Sequence, residues 1–207
     1  MDKKRLEYLR KFFIAGGEPP QQGYWRDAAD LQAYDDSFGQ RIHWKWLSVF
    51  SELEKRGWQS SIPLKSLHDW GCGSGIAGRS FLASKWGANI ETVKLSDYSN
   101  MASKFAAQKL NSAAIPPKSI EIITPGLNPP VDLLLVSHVA NELSEQNRKA
   151  FLRSLKSAKH IIWVDAGTTR AAQTILWARE ILLNNGYKVL APCVKQSSCP
   201  IAASKKD

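Results

Sequence analysis

At 207 residues the chain is long enough for one α/β domain with a helical extension. It contains no run near the roughly 20 apolar residues that span a bilayer. The basic N-terminus carries Asp2 and Glu7 and has neither a signal-peptide core nor an acid-poor, Ser-rich transit composition. Three cysteines do not make a secreted disulfide framework. A cytoplasmic monomer without membrane contact is therefore expected.

The net charge of +9 is unevenly spread: residues 1–60 contribute +1 and residues 61–207 contribute +8. Such an excess favours a polyanion such as RNA through phosphate contacts and counterion release. It is equally compatible with a merely basic surface, and no aromatic RNA-binding module of known pattern is visible.

In chain order, residues 1 to about 15 read as a helix with Leu6, Leu9 and Phe13 on one side. Gly16-Gly17 and Pro19-Pro20 break it. A second helix is predicted from about Asp36 to Arg56, because Phe38, Ile42, Trp46, Val49 and Leu53 form one apolar stripe and Gly57 follows as a stop. The region is rich in aromatics: Tyr24, Trp25, Tyr34, Phe38, Trp44, Trp46, Phe50 and Trp58. Packing as core and lid is the favoured reading, with base stacking on nucleic acid as the alternative. Residues 1–60 are thus expected to be a helical extension or lid, and residues 61–207 an α/β domain.

From Ile62 onward strands and helices alternate. Predicted strands are Lys65–His68, Thr92–Leu95, Ile120–Ile123, Val131–Val136, His160–Val164 and Lys188–Leu190. Predicted helices are Ile76–Trp86, Met101–Asn111, Glu145–Ser157 and Arg170–Asn184, the last closed by Gly186. This order implies a mainly parallel sheet with right-handed crossovers and helices on both faces. Ligands bind such sheets at the carboxyl ends of the strands. Asp69, Asp97, His138 and Asp165 all fall there.

The first strand runs into Asp69-Trp70-Gly71-Cys72-Gly73-Ser74-Gly75. Glycines at alternate positions allow tight turns and close approach to a ligand. The helix that follows offers free N–H groups to an anionic group. Asp97, 22 residues after Gly75 at the end of the second strand, can accept hydrogen bonds from ribose hydroxyls. Gly73, Gly75 and Gly78 satisfy the dinucleotide G-x-G-x-x-G spacing, a weak signal alone. Gly71, Gly73 and Gly75 led by Asp69 instead resemble the first motif of class I S-adenosylmethionine-dependent methyltransferases. That resemblance is the favoured reading, and a glycine turn without a cofactor is the bland one. It implies a Rossmann-like fold, with the glycine loop beneath the methionine part of the cofactor and Asp97 on its ribose. Tyr98 and Ser137 complete the expected cofactor-binding set. The resemblance also implies a seventh, antiparallel closing strand, whereas six strands are predicted here.

After the fourth strand comes Ser137-His138-Val139-Ala140-Asn141-Glu142-Leu143, which faces the methyl acceptor in that superfamily. His138, Asn141 and Glu142 are the candidate catalytic residues, with His138 or Glu142 as general base. The structural alternative is that Asn141 caps the next helix and Glu142 complements its dipole. An Asn/Asp-Pro-Pro-aromatic signature is missing, so methylation of an exocyclic base amine is not supported. Asp165 precedes Gly167-Thr168-Thr169, a turn that caps a helix, and could bind substrate or a cation. Cys193 and Cys199, each beside a proline, suggest a metal or cluster knuckle, but two ligands do not complete a four-coordinate site. Cys72 is best explained as a small buried residue.

Together the segments Asp69 to Gly75, His138 to Leu143, Asp165-Ala166-Gly167-Thr168 with Arg179, and Ala191-Pro192-Cys193 to Cys199-Pro200 resemble one family. It is the methyltransferase-like proteins tied to assembly of the mitochondrial small ribosomal subunit, with bacterial and archaeal relatives. The likeness runs from about Tyr34 to Ile201 and implies S-adenosylmethionine as cofactor and small-subunit ribosomal RNA as partner. In some members it implies an iron–sulfur cluster on four cysteines. The chain departs from the pattern in having Asp165 where the family has Glu. It also lacks the Trp-Cys-His segment and further Cys beyond the Cys-Pro element, so at most two cluster ligands are present. The expected function is an S-adenosylmethionine-dependent methyltransferase-like protein acting on or at that RNA. The alternatives are a non-catalytic assembly factor that binds the cofactor and a small-molecule methyltransferase.

Overall fold

A computed structural model describes residues 3–13, 23–139, 142, 143 and 145–200. Helix α1 spans Lys3–Phe13 and buries Leu9. Helix α2, Ala28–Tyr34, begins at Asp27, whose side chain accepts the Asp30 N–H, a capping arrangement that sequence reading passed over. A π-helical turn, Asp35–Gly39, joins it to α3, Gln40–Lys55, so the predicted second helix starts four residues late and is the end of a longer helical run. The fully buried Asp30 carboxylate accepts from Arg5 at 2.6 Å and from Arg26 at 2.7 and 2.8 Å. Burial alone would raise its pKa, but the two guanidiniums outweigh burial and bring it to about 2. That pairing fastens α1 to the start of α2.

The sheet has five parallel strands in the order β3-β2-β1-β4-β5. They are β1 (Ser66–Trp70), β2 (Thr92–Ser96), β3 (Ser119–Ile122), β4 (Val131–Ser137) and β5 (Ala158–Val164). Helices α4 (Ile76–Leu82), α5 (Asn100–Asn111), α6 (Glu145–Lys156) and α7 (Thr169–Asn184) fill the crossovers. Strand β1 runs two residues further than predicted, because Asp69 and Trp70 are buried and stay in register with Leu95 and Ser96. Helix α4 ends earlier than the predicted Trp86. A Cβ on Gly87 would lie 2.4 Å from the Leu82 carbonyl oxygen, so the chain folds back on the helix end there.

The predicted sixth strand, Lys188–Leu190, is not a strand in the structure. The Val189 N–H and carbonyl are taken by the Gln196 side-chain amide, at 2.9 and 2.8 Å. An extended segment satisfied by a neighbouring side chain has no ladder to join.

Strand β4 carries Leu133, Leu134, Leu135 and Val136, all without exposed surface, as expected of a strand covered on both faces. One face packs with α3, α4 and α5 through Ile42, Trp46, Phe50, Phe81 and Leu110. The other packs with α6 and α7 through Trp70, Phe151, Leu155 and Ala178. Helix α3 therefore shares the core of the sheet, while α1 and Trp25 build a smaller cluster on Ala102 and Phe105 of α5. Each fully buried Leu contributes about 1.5–3 kcal/mol. Among the described residues no helix is long and apolar enough to cross a membrane.

Candidate functional site

The loop from β1 to α4 is held open by glycine. Gly71, Gly73 and Gly75 have φ of +66°, +51° and +78°, in the left-handed region that costs other residues about 1–2 kcal/mol. A Cβ on Gly71 would meet Val139 Cγ1 at 2.7 Å, and one on Gly75 would meet Ala106 Cβ at 2.9 Å. A Cβ on Gly73, by contrast, would meet no atom within 4 Å beyond its chain neighbours. The Gly71 and Cys72 N–H groups both donate to the Ser96 carbonyl, at 2.8 and 3.0 Å.

Asp97 ties this loop to the end of β2. Its carboxylate accepts the Gly73 N–H and the Ser99 N–H, each at 2.9 Å. Burial raises its pKa, while those two amides pull it back. Tyr98 beside it is 70 % exposed.

Asp69 sits elsewhere. It is wholly buried beneath the loop, its Oδ2 accepts the Gly78 N–H at 2.9 Å, and its Oδ1 has no partner among the described residues. Glycine at 78 suits this approach, since a Cβ there would lie 3.0 Å from that oxygen, a tight contact. Burial pushes the Asp69 carboxyl up to about 7.

The opposite wall comes from the end of β4 and from the N-terminal helices. Trp46 of α3 donates its indole N–H to Ser137 Oγ at 3.2 Å. Lys45 Nζ lies 3.2 Å from His138 Nε2. His138 has φ of +58°, the one non-glycine residue in the left-handed region among those described, and its N–H donates to the Val164 carbonyl at 2.9 Å. A bulky residue held there is strained, a pattern concentrated at functional sites. Burial, and then the charge of Lys45, lowers the His138 pKa to about 4.

Glu142 meets the Tyr24 hydroxyl at 3.3 and 3.4 Å. Its side chain reaches solvent, yet it stands in a crowded mouth. Burial there, then the charge of Asp97, pushes its carboxyl up to about 7, with Asp165 adding to the shift. Asp165 accepts from the Trp163 indole at 2.9 Å and from the Ala166 N–H at 2.8 Å. After burial itself, the charges of Glu142, Asp35, Asp97 and Asp165 all raise the Tyr34 hydroxyl. Three carboxylates, lying at or beyond the ends of β2, β4 and β5, are therefore near enough for their charges to act on Tyr34, with Tyr24 on Glu142; this edge of the sheet is the candidate cleft.

Of the predicted residues, the structure gathers Gly71, Gly73, Gly75, Asp97, Ser137, His138 and Glu142 around this cleft. It buries Asp69 completely, with Oδ2 on the Gly78 N–H and Oδ1 without a partner among the described residues, and Asn141 lies outside the described residues. Lys45, Trp46, Tyr24 and Tyr34 were not expected as site residues. Trp46 and Tyr34 were legible only as aromatic packing, and nothing near Lys45 in sequence marks its place beside His138.

Cys193 is exposed, Cys199 is half-buried and Cys72 is buried. The segment carrying the first two is braced by Arg56, which donates to the Pro192 carbonyl at 2.9 Å, and by Arg179, which donates to that of Ser197 at 3.0 Å. No group of three or more His, Cys, Asp or Glu able to hold a metal exists among the described residues. The described residues of this segment thus bring two thiols, Cys193 and Cys199, which by themselves do not complete a four-ligand site. A hollow of about 410 Å³ between α3 and α4, lined by Asp35, His43, Arg79 and others, contains none of the glycine-loop residues.

A parallel sheet in this order, with a glycine loop tethered to an acid at the neighbouring strand end, defines a Rossmann-like domain of the class I methyltransferase type. The chain is similar to a SAM-dependent methyltransferase from Aquifex aeolicus, at 18 % identity and a TM-score of 0.51, covering 81 % of this chain and 92 % of that one. It is similar also to the mitomycin 7-O-methyltransferase MmcR, at 13 % identity and a TM-score of 0.52, covering 84 % of this chain and 52 % of that one. At such identities the likeness shows the fold. No curated protein matches the chain. The family described as "Mitochondrial small ribosomal subunit Rsm22" matches residues 60–207, and the chain belongs to that family.

Proposed function

We propose that this protein binds S-adenosylmethionine in the cleft and acts as a methyltransferase on or at small-subunit ribosomal RNA. The observation that carries the cofactor reading is the Gly73 N–H donated to Asp97, which locks the loop to the acid of the next strand. The residues fit the group. Gly73 has open space on the side where other residues carry a Cβ, and each Asp97 oxygen keeps a lone pair for a ribose hydroxyl. The backbone of Gly71, Gly73 and Gly75 with Asp97, Tyr98 and Ser137 would hold it. Asp69 is a positioning residue that fixes the loop from below. When bound, the cofactor supplies an electrophilic methyl group on a sulfonium. The membership of the chain in a family described by the small ribosomal subunit supports the RNA reading, as does its net charge of +9.

On the acceptor wall, Glu142 is the better general base. A carboxyl near 7 is matched to neutral pH. His138 is less suited: with Lys45 protonated, its Nε2 accepts the ammonium proton, leaving Nδ1–H as a donor. Asn141 keeps its place as a candidate contact to the acceptor. In this reading the elements before α3, which carry Tyr24, act as the lid, while α3 itself belongs to the core of the sheet.

A second reading, an assembly factor that binds the cofactor without catalysis, is favoured by one feature. The Tyr24 hydroxyl already stands on Glu142, so the candidate base is engaged by the lid. Calorimetric titration with S-adenosylmethionine, with NAD as control, tests the cofactor. Micromolar affinity, about −8 kcal/mol, lost in a folded Asp97→Ala variant, is expected; equal affinity in that variant would sink the ribose assignment. Transfer of labelled methyl to purified small subunits, lost in Glu142→Gln, separates enzyme from assembly factor.

A further inference from the structure

Eight aromatic residues crowd residues 24–58, and the structure separates them. Tyr24, Trp25, Tyr34 and Phe38 pack with Phe13. Trp46 and Phe50 lie in the core, and Trp58 packs on Trp86. Trp44 alone of the eight is mostly exposed, at 59 %, and it meets no other ring among the described residues. At 100° per residue, the inward stripe of Ile42, Trp46, Phe50 and Leu53 leaves Trp44 on the outer side of α3. Leu47, 47 % exposed, shares that side.

A single exposed ring would need no explanation, but its surroundings are uneven in charge. Arg41 lies one turn before Trp44 and Lys45 follows it, while residues 40–51 contain no Asp or Glu. Arg41 is exposed and makes no ion pair among the described residues. The acids further along α3 are already engaged, Glu52 by Arg56 and Glu54 by Lys85. The ridge also runs into the cleft, because Lys45 Nζ reaches His138 Nε2 at 3.2 Å.

An uncovered indole between two cations suits a chain that alternates flat aromatic faces with negative charge. We propose that the outer face of α3, from Arg41 to Ser48, docks single-stranded nucleic acid and leads it toward His138 and Glu142. A base stacks on Trp44, and phosphates meet Arg41 and Lys45. This deepens the RNA reading above and rests on it for the identity of the acceptor, whereas the surface itself rests on Trp44 and its neighbours.

The test is fluorescence anisotropy with a labelled oligouridylate of about 12 nucleotides, measured across salt concentrations on the full chain and its variants. Wild type is expected to bind with a negative salt slope. Trp44→Ala should weaken binding about tenfold with the slope unchanged, and Trp44→Phe should restore most of it. Arg41→Gln should weaken binding and lower the slope by about one. Circular dichroism and S-adenosylmethionine titration should show both variants folded and cofactor-competent. Wild-type affinity in folded Trp44→Ala and Arg41→Gln overturns the proposal, as does failure of wild type to bind the oligonucleotide. Altered self-association in Trp44→Ala with RNA affinity unchanged makes the face a protein contact and also overturns it. RNA binding through Trp44 without S-adenosylmethionine binding supports the docking face and sinks the cofactor reading alone.

Discussion

The two walls of the cleft are built in opposite ways. On the glycine-loop side the parts are backbone: three left-handed glycines, amides donated to Ser96 and Asp97, and an acid one strand away. On the side of His138 and Glu142 the parts are side chains brought from far apart. Trp46 meets Ser137 across 91 residues, Lys45 meets His138 across 93, and Tyr24 meets Glu142 across 118. A wall made of local backbone geometry depends on which residues can adopt it. A wall made of distant side chains depends on how the N-terminal helices dock.

The largest expected effect breaks the backbone wall. Gly75→Ala puts a Cβ at φ +78° and 2.9 Å from Ala106 Cβ, with the Ala106 backbone just behind it. A loss of about 2–4 kcal/mol is expected from left-handed strain and overpacking, read by chemical denaturation together with loss of cofactor affinity. A variant as stable as wild type would mean that the loop does not hold this geometry.

Next comes Asp69→Asn, which asks what the buried acid does for that wall. The folded pKa of about 7 lies above the unfolded value of about 3.9. The native state therefore binds the extra proton between these values. Its contribution is fully present below about pH 4 and is lost as pH rises through 7. The Asn variant is neutral throughout, so its Tm minus that of wild type should increase between pH 5 and 8. About 2 kcal/mol is expected, at roughly 2–4 °C per kcal/mol. Glu142 carries a shift of the same sign but is common to both proteins and cancels. A difference that stays flat with pH rules out the raised pKa.

Lys45→Met sharpens the comparison on the other wall. Removing the ammonium should raise the His138 pKa from about 4 by about one unit, followed by NMR titration of the imidazole, while cofactor affinity changes little. An unmoved His138 would separate the two side chains. The smallest effect belongs to Tyr24→Phe. At 3.3 and 3.4 Å the hydroxyl contact is long for an O–H···O bond, so the variant should lose less than about 0.5 kcal/mol. A loss above 1 kcal/mol would mean that the lid closes more tightly on Glu142 in solution.

The contrast between the walls explains what could be read in advance. The parallel α/β order was legible because buried strands such as Val131–Val136 are continuous apolar runs and helices such as α5 show their own period and caps. The glycine loop and Asp97 were legible because alternate glycines and an acid about 20 residues on are a local pattern. Strand β1 was underestimated because Asp69 and Trp70 look like a loop, yet both are buried in the ladder. Lys188–Leu190 misled because its hydrogen bonds go to a glutamine side chain, a choice that strand propensity does not encode.

By itself the sequence determined the fold class and the glycine loop with its neighbouring acid, since both follow from periodicity and from backbone conformations that only glycine adopts cheaply. Tertiary structure alone decided three things: that Asp69 is wholly buried against the Gly78 N–H, that Lys45 stands on His138, and that Trp44 is the one uncovered ring among eight. The physical reason is common to all three. Burial, pKa and exposure belong to a residue's neighbours in space, and for these residues the decisive neighbours come from other strands and helices, or from the packing of α3 on the sheet.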